Sequence, residues 1–460
     1  MNQATKHFAL QSKQACEATE KRSILKKNLH NYSDKFEYAK EQFSDYEMSR
    51  KKLHYLKYKS IESIEKNLSE FETHFSTRGG KVIYASHKED ALKYIHEIIK
   101  ETRTNKIVKS KSMVCEELEL DDYLNSHEIK VIESDLGEFI VQLAGEKSSH
   151  ITAPALHKSK EEIYQLLNEQ YNTSFHSNTP VEHIVDFVRK IMREELNDVK
   201  VGITGCNFLI ADVGAIAISE NEANAILSSS IPPVHIVVTS IEKVVSQFAN
   251  LELFQSMLST HATGQKLTAY NHIFFGPYKN ADSNVHPKMY VIIVDNKRSQ
   301  LLKNIQLREA CYCIKCGACH NVCPVYKIIG GHTYDSVYNG PIGSVISPVI
   351  IDNEKYTHLP FASTLCGKCN DVCPAKINLT GLLIESRKNI VHNKMNSATD
   401  RFVFNKVHYF LMKRNRMDSM NSTIKNIGLQ IFLKKNWGLH RELPVFSKQS
   451  FNKKQKNKAT

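Results

Sequence analysis

The chain has 460 residues, of which 41% are hydrophobic and 24% charged, and carries a formal net charge of +12. These proportions suit ordinary globular domains, and the length allows two or three of them, each with its own core. No run approaches the roughly 18 consecutive apolar residues of a membrane-spanning helix, and the opening MNQATKHFAL lacks the basic-then-apolar plan of a secretory signal, so a cytoplasmic protein is expected.

Residues 1–76 read as an N-terminal helical region. Ile61, Ile64, Leu68, Phe71 and Phe75 recur at spacings of three and four, which lines one face of a helix, and Arg78-Gly79-Gly80 supplies a stop. Residues 77–298 alternate β-branched runs with amphipathic segments. Strands are predicted at Val82–Ala85, Lys106–Lys109, Ile129–Glu133, Ala215–Ser219, His235–Ser240 and Met289–Asp295. This alternation indicates an α/β domain with a mostly parallel sheet, whose ligands bind beyond the carboxyl ends of the strands. Asn207, Asp212, Glu220, Glu222, Glu242 and Lys243 fall near such ends, and His150 and His157 are acid–base candidates. Surface, capping and core roles account for such polar residues as well, and no catalytic residue is assigned. No Gly-x-Gly-x-x-Gly follows a strand and no P-loop occurs, which argues against a dinucleotide or nucleotide fold.

Residues 299–390 change texture to helix, cysteine motif, loop and second cysteine motif. The stretch from Gly330 to Pro348 holds six glycines or prolines and reads as an irregular connector. Residues 391–460 hold a helical segment, Phe402–Leu411, and a basic tail with Lys448, Lys453, Lys454, Lys456 and Lys458. Much of the positive excess lies in that tail. Such a run is usually a solvated terminus, and no nucleic-acid partner is expected.

Eight of the eleven cysteines fall between Cys311 and Cys373, whereas Cys16, Cys115 and Cys206 are scattered. Clustered cysteines without signs of export point to metal rather than disulfides. The first motif is Cys313-x2-Cys316-x2-Cys319-x3-Cys323-Pro324 and the second Cys366-x2-Cys369-x3-Cys373-Pro374. Structural zinc sites combine separated pairs or include histidine, which fits this run poorly. A four-iron cluster takes four soft thiolates, and the cysteine before proline reaches the partner cluster. Cys313, Cys316, Cys319 and Cys373 are therefore expected to hold one 4Fe-4S cluster, and Cys323, Cys366 and Cys369 a second. A complete second motif would carry cysteine at 363, where Ser363 stands. Ser363 or another oxygen or nitrogen group could complete the site, Cys311 could swing across, or the second cluster could lack one iron.

Arg78-Gly79-Gly80-Lys81-Val82, Lys109–Met113, Glu133–Glu138, His150–Ala155, Gly202–Gly205, Glu220-Asn221-Glu222, Gly330-Gly331-His332, Gly340–Gly343 and Leu359–Ser363 together resemble the lactate-utilisation protein B family of bacterial iron–sulfur proteins. That resemblance implies a lactate-utilisation α/β domain followed by a small helical ferredoxin-like domain with two clusters, and a serine at 363 is usual in it. It further implies one component of a three-protein system that oxidises L-lactate to pyruvate, with a cysteine-rich subunit and a second lactate-utilisation-domain protein as partners. The chain departs from the pattern Glu-Asn-Glu-Gly-Asn-x-Arg at Ala223 and Ile226, and has Ser246 where proline is frequent. Losing the arginine removes a bidentate carboxylate clamp.

The leading expectation is an electron-transfer subunit of a lactate-oxidising complex, without a transmembrane segment but with peripheral membrane association through a partner left open. The alternatives are a carrier serving another organic-acid dehydrogenase and a non-enzymatic iron–sulfur regulator that binds nucleic acid.

Overall fold

The computed structural model describes residues 3–277, 287–395, 398–419, 421–432, 434, 442–451 and 454–455. Lys453, Lys456 and Lys458 of the expected tail lie outside them. Residues 2–390 form one compact unit, and the chain from Val391 onward belongs to a second. In the second unit the expected helix runs from Ala398 to Leu411, followed by helices Arg414–Ser419 and Ser422–Phe432. None of the described helices is long and apolar enough to cross a membrane.

The first unit opens with helices Gln3–Glu17, Thr19–Lys40, Tyr46–Glu62 and Ile64–Ser76. The apolar stripe that includes Ile61 and Phe75 is therefore not one helix. Ser63 leaves helical geometry at φ −111°, ψ 31°, and the Asn67 side chain donates to the Ser60 carbonyl at 2.9 Å, bridging the break.

Ten strands follow: β1 (Lys81–Ala85), β2 (Lys106–Lys109), β3 (Lys130–Glu133), β4 (Val201–Thr204), β5 (Phe208–Ile210), β6 (Ala215–Glu220), β7 (Val234–Ser240), β8 (Val244–Val245), β9 (Tyr270–Phe274) and β10 (Lys288–Val294). Six of them form a parallel sheet in the order β1-β10-β7-β4-β2-β3. The central strands are buried on both faces, as near-continuous runs such as VHIVVTS require. Ile236, Ile292 and Ile203 face helices Lys88–Glu101 and Leu120–Ser126, while Val237, Val291 and Ile293 face Phe71, Phe75 and the second sheet. At Gly202 a Cβ would meet the Ser228 carbonyl oxygen at 1.6 Å, so glycine is what lets helix Asn224–Ser230 lie against β4.

The second sheet, β8-β5-β6-β9, escapes the sequence pattern. Its strands β5 and β8 are three and two residues long, too short to show a period. Residues 215–219, expected in the parallel sheet, pair antiparallel with β5 and β9 instead. The far face of this sheet completes a shared core: Phe208 and Ala217 join Leu53 of the N-terminal helices and Ile314, Ile342 and Leu382 of the cysteine region.

The connector expected to be irregular contains a buried helix, Gly340–Ile350. Pro341 sits in its first turn, where no N–H donor is needed. The internal Pro348 withholds the N–H that would reach the Ser344 carbonyl, and in the same helix Ser344 donates to the Gly340 carbonyl at 2.9 Å and Ser347 to that of Tyr338 at 3.0 Å.

One buried cation ties these layers together. Arg298, 1% exposed, opens the helix after β10. It contacts both Glu117 oxygens at 2.8 and 2.6 Å and Glu242 at 2.8 Å. Tyr338 and Asn296 also donate to Glu117, at 2.8 and 2.6 Å. Replacing Arg298 by Ala strands two buried carboxylates and should lower the unfolding free energy by about 3–5 kcal/mol, read by urea denaturation of the cluster-loaded protein. A loss under about 1 kcal/mol would show that the network is not what holds the layers together.

Candidate metal centre

The two cysteine motifs take the same backbone course. In the first, Lys315 (φ 59°) and Gly317 (φ 77°) are left-handed before the short helix Ala318–Val322 and Cys323. In the second, Leu365 (φ 54°) and Gly367 (φ 85°) precede helix Lys368–Val372 and Cys373. In the first loop the turn brings Cys313, Cys316 and Cys319 to one cavity. The Lys315 N–H donates to Cys313 Sγ at 3.3 Å, and the Leu365 N–H donates to Ser363 Oγ at 3.2 Å. Ser363 thus occupies in the second turn the place that Cys313 has in the first.

Cys313, Cys316, Cys319 and Cys373 line one cavity, walled by Ile151, Ile314, Ile342, Ile377 and Leu379. Burial drives the Cys316 and Cys319 thiols well above their ordinary range, with Cys313 and Cys373 adding to the rise. Burial likewise lifts Cys373 to about 12, although N–H groups oppose it, Ile377 N–H among them at 3.4 Å from the sulfur. Cys323, Cys366 and Cys369 form the other set. Burial lifts Cys369 to about 11, and Cys323 and Cys366 both act on it. Cys366 is exposed, and the Lys368 N–H lowers its pKa.

Four soft donors in an apolar-walled cavity, with Lys315 alone among its lining to set against four thiolates, fit a group that brings its own positive charge. Metal supplies that charge, and N–H···S bonds of this kind tune an iron–sulfur site. Cys311 belongs to neither set. It is 2% exposed, its thiol is pushed up to about 12 by burial, and its charged neighbours are Glu242, Lys315, Lys57 and Arg298. It packs into the seam beneath the α/β layer.

The N-terminal helices prove to be part of this centre. Arg50 donates to the Cys373 carbonyl at 2.7 and 3.0 Å and to that of Asn370 at 3.2 Å. The His54 ring donates from Nδ1 to the Ala375 carbonyl at 2.7 Å. Leu25 and Leu29 cover Cys323, together with Tyr326 and Tyr334. Sequence reasoning missed Arg50 and His54 because their partners lie more than 300 positions away, and backbone carbonyls leave no mark in a sequence.

Of the polar residues expected at strand ends, Asn207, Glu220, Glu222 and Lys243 line one pocket of about 240 Å³, joined by Lys111 and by Lys315 from the first motif. Asp212 is elsewhere, accepting the Phe248 N–H at 2.9 Å, and Glu242 is held by Arg298, which helps bring its carboxyl down to about 2 against the effect of burial. His150 bonds Asn321 at 3.0 Å and is brought down to about 4 by burial. His157 pairs with Glu146 at 2.7 Å. Neither histidine lines the pocket.

The departures from the family pattern have local structural counterparts. Ala223 adopts φ 59°, ψ 17°, a left-handed conformation that glycine takes without strain. At Ile226 the backbone N–H bonds Glu220 at 3.1 Å. The Ser246 N–H donates to Ser60 Oγ at 3.2 Å, a bond that proline could not make.

The LUD domain family matches residues 68–294, and the 4Fe-4S dicluster domain family matches residues 309–377, spanning both motifs. The chain therefore carries two 4Fe-4S clusters. It is 37% identical over 409 residues to Lactate utilization protein B 2 of Bacillus mycoides, covering 86% of each. It is 38% identical over 403 residues to Lactate utilization protein B of Bacillus cytotoxicus, covering 85% of this chain and 84% of the relative. A solved DUF162 family protein from Deinococcus radiodurans aligns with 50% of the chain at 15% identity and a TM-score of 0.28, a likeness too slight to carry an argument.

A Cys311→Ala protein should keep its iron, its sulfide and its electron paramagnetic resonance spectrum, and lose about 1 kcal/mol of stability from the small cavity. Iron loss confined to the second cluster would make Cys311 a ligand after all.

Proposed function

The chain belongs to the lactate utilization protein B family, and on that premise we propose that it is the iron–sulfur electron-transfer subunit of a system oxidising L-lactate to pyruvate. The observation that carries this reading is the division of the seven motif cysteines into a set of four around one apolar-walled cavity and a second set that reaches the surface at Cys366. Cys313, Cys316, Cys319 and Cys373 hold the first cluster, and Cys323, Cys366 and Cys369 the second, with Ser363 beside the remaining position. When bound, the clusters supply two one-electron sites, which together match a two-electron oxidation of a hydroxy acid.

The chain's own groups do the rest. Ile314, Ile342 and Ile377 keep water from the first set, which sets its local dielectric and hence its potential. Arg50 and His54 lock the carbonyls of Cys373 and Ala375, so the cysteine donated across from the second motif is held in place. Cys366, the exposed member of the second set, is where a partner subunit exchanges electrons. Those partners are a cysteine-rich subunit and a second lactate-utilisation-domain protein.

The crosswise assignment makes a sharp expectation. Cys373→Ala, although in the second motif, should abolish the signal of the first cluster, and Cys323→Ala that of the second; the reverse pattern would overturn the assignment. The function itself is tested by adding L-lactate to anaerobically purified protein with its partner subunits. Reduction of both clusters, seen by electron paramagnetic resonance, is expected. Clusters that stay oxidised with lactate while accepting electrons from dithionite would exclude lactate as the electron source.

A further inference from the structure

We propose that Glu146, His157 and His332 form a site for a divalent transition metal, outside the cysteine motifs, that ties the α/β domain to the connector between those motifs. Each residue offers one donor atom, and the three atoms all lie within 4.8 Å of one another. Glu146 and His157 follow helix Leu136–Leu143 of the α/β domain, and His332 belongs to the connector. Zinc holds imidazole nitrogen and carboxylate oxygen at about 2.0–2.2 Å. Glu146 and His332 are exposed, so rotation of their side chains closes the remaining distance.

Hydrogen bonding fixes where the two rings carry their hydrogens. His332 Nε2 lies 2.8 Å from the Lys147 carbonyl, which can only accept. That nitrogen is therefore the donor, and the lone pair of the neutral ring is on Nδ1. Ser149 gives its hydroxyl hydrogen to the Pro154 carbonyl at 2.9 Å, so it accepts from His157 Nδ1, also at 2.9 Å. In neutral His157 the lone pair is then on Nε2, which faces Glu146 Oε2 at 2.7 Å. A lone pair and a carboxylate oxygen so close need a cation between them. A proton would make His157 an imidazolium, with the His332 ring 4.4 Å away between centroids. It would also duplicate Lys158, which already answers Glu146 at its other oxygen, at 2.5 Å. A metal instead uses both imidazoles and Oε2 at once. Ser149, the Lys147 carbonyl and Lys158 are then the outer partners that orient metal-bound imidazoles and carboxylates.

The two segments are built to meet here. At Gly331 a Cβ would lie 1.7 Å from the Ser149 carbonyl oxygen, so glycine beside His332 is what lets them touch. The same carbonyl accepts from Tyr326 at 2.7 Å and from Asn339 at 3.3 Å, which holds in place the serine that sets the His157 tautomer. Glu146 and His332 also line a pocket of about 420 Å³, whose lining holds nine carboxylates and two lysines, Lys147 and Lys355. Six of these carboxylates have a cation each: Lys88 on Glu119, Lys109 on Glu133, Lys111 on Glu138, Lys158 on Glu146, Arg298 on Glu117 and Lys355 on Asp335. Asp121 shares Lys109, and Glu116 and Asp122 have no ion pair among the described residues. Lys147 alone is left to set against these three. Glu133, 4% exposed, keeps Oε2 buried without a partner. The negative excess draws a cation to this face, and the two imidazoles select a transition metal over calcium or magnesium.

The test is Zn²⁺ binding to the anaerobically purified, cluster-loaded protein, by calorimetry and by metal analysis after dialysis, with iron and sulfide measured on the same samples. A single zinc per chain is expected beside intact clusters, together with a rise in the midpoint of thermal unfolding. His332→Ala, a change at an exposed side chain, should weaken binding at least about tenfold and remove that rise. Ser149→Ala, which touches no metal, should weaken binding about 10–100-fold by releasing the His157 tautomer. The proposal is overturned if no zinc binds beside the clusters, which would leave His157 and Glu146 a plain ion pair, or if zinc binds the His332→Ala protein equally well. Mg²⁺ binding as tightly as Zn²⁺ would make the acidic pocket the site and overturn the triad, and zinc taken up only with loss of iron would place it at the cysteines. The site does not rest on the electron-transfer reading, and none of these outcomes bears on it.

Discussion

Arg298 in a dry interior can exist only with its charge answered, and that requirement organises the molecule. Glu117 comes from the helix after β2, Glu242 from the turn after β7, and Arg298 itself from the helix after β10. Tyr338 brings in the connector between the cysteine motifs. From the N-terminal helices Lys57, 1% exposed, donates to the Glu242 carbonyl at 2.6 Å. Each partner would be costly to bury alone, so the parallel sheet, the N-terminal helices and the cysteine region are held in one arrangement. The apolar core that runs through all three confirms that the cysteine region does not stand apart with a core of its own.

Within that arrangement each cysteine turn is a local solution. Two left-handed residues and a short helix set the sulfur directions in both motifs, and glycine at 317 and 367 meets one of those positions without strain. The match extends to the N–H that bonds Cys313 in one turn and Ser363 in the other. The second turn thus carries a hydroxyl at the position where the first carries the Cys313 thiol.

At Ile226, in the loop after β6, the resemblance leads one to expect an arginine. The loop keeps its shape because Glu220 takes the backbone N–H groups of Ala225 and Ile226. Lys111, Lys243 and Lys315 face the pocket of about 240 Å³ together with Asp135, Glu220 and Glu222, and Lys315 is supplied by the cysteine motif itself. The sheet and the cysteine turns thereby share one polar surface, and neither would present it alone.

How much of this was legible in the chain depends on distance along it. The cysteine spacings are local, and so are the β-branched runs of β7 and β10; both impose their geometry over a few residues, and both could be read directly. The break at Ser63, the helix Gly340–Ile350 and the strands β5 and β8 could not, because short segments and prolines take their structure from what packs against them. The pairing of Arg298 with Glu117, the hold of Arg50 on the Cys373 carbonyl, and the meeting of Lys243 with Lys315 were decided by the tertiary structure alone. Charge complementarity in a buried seam acts between positions far apart in sequence, and no spacing rule records it.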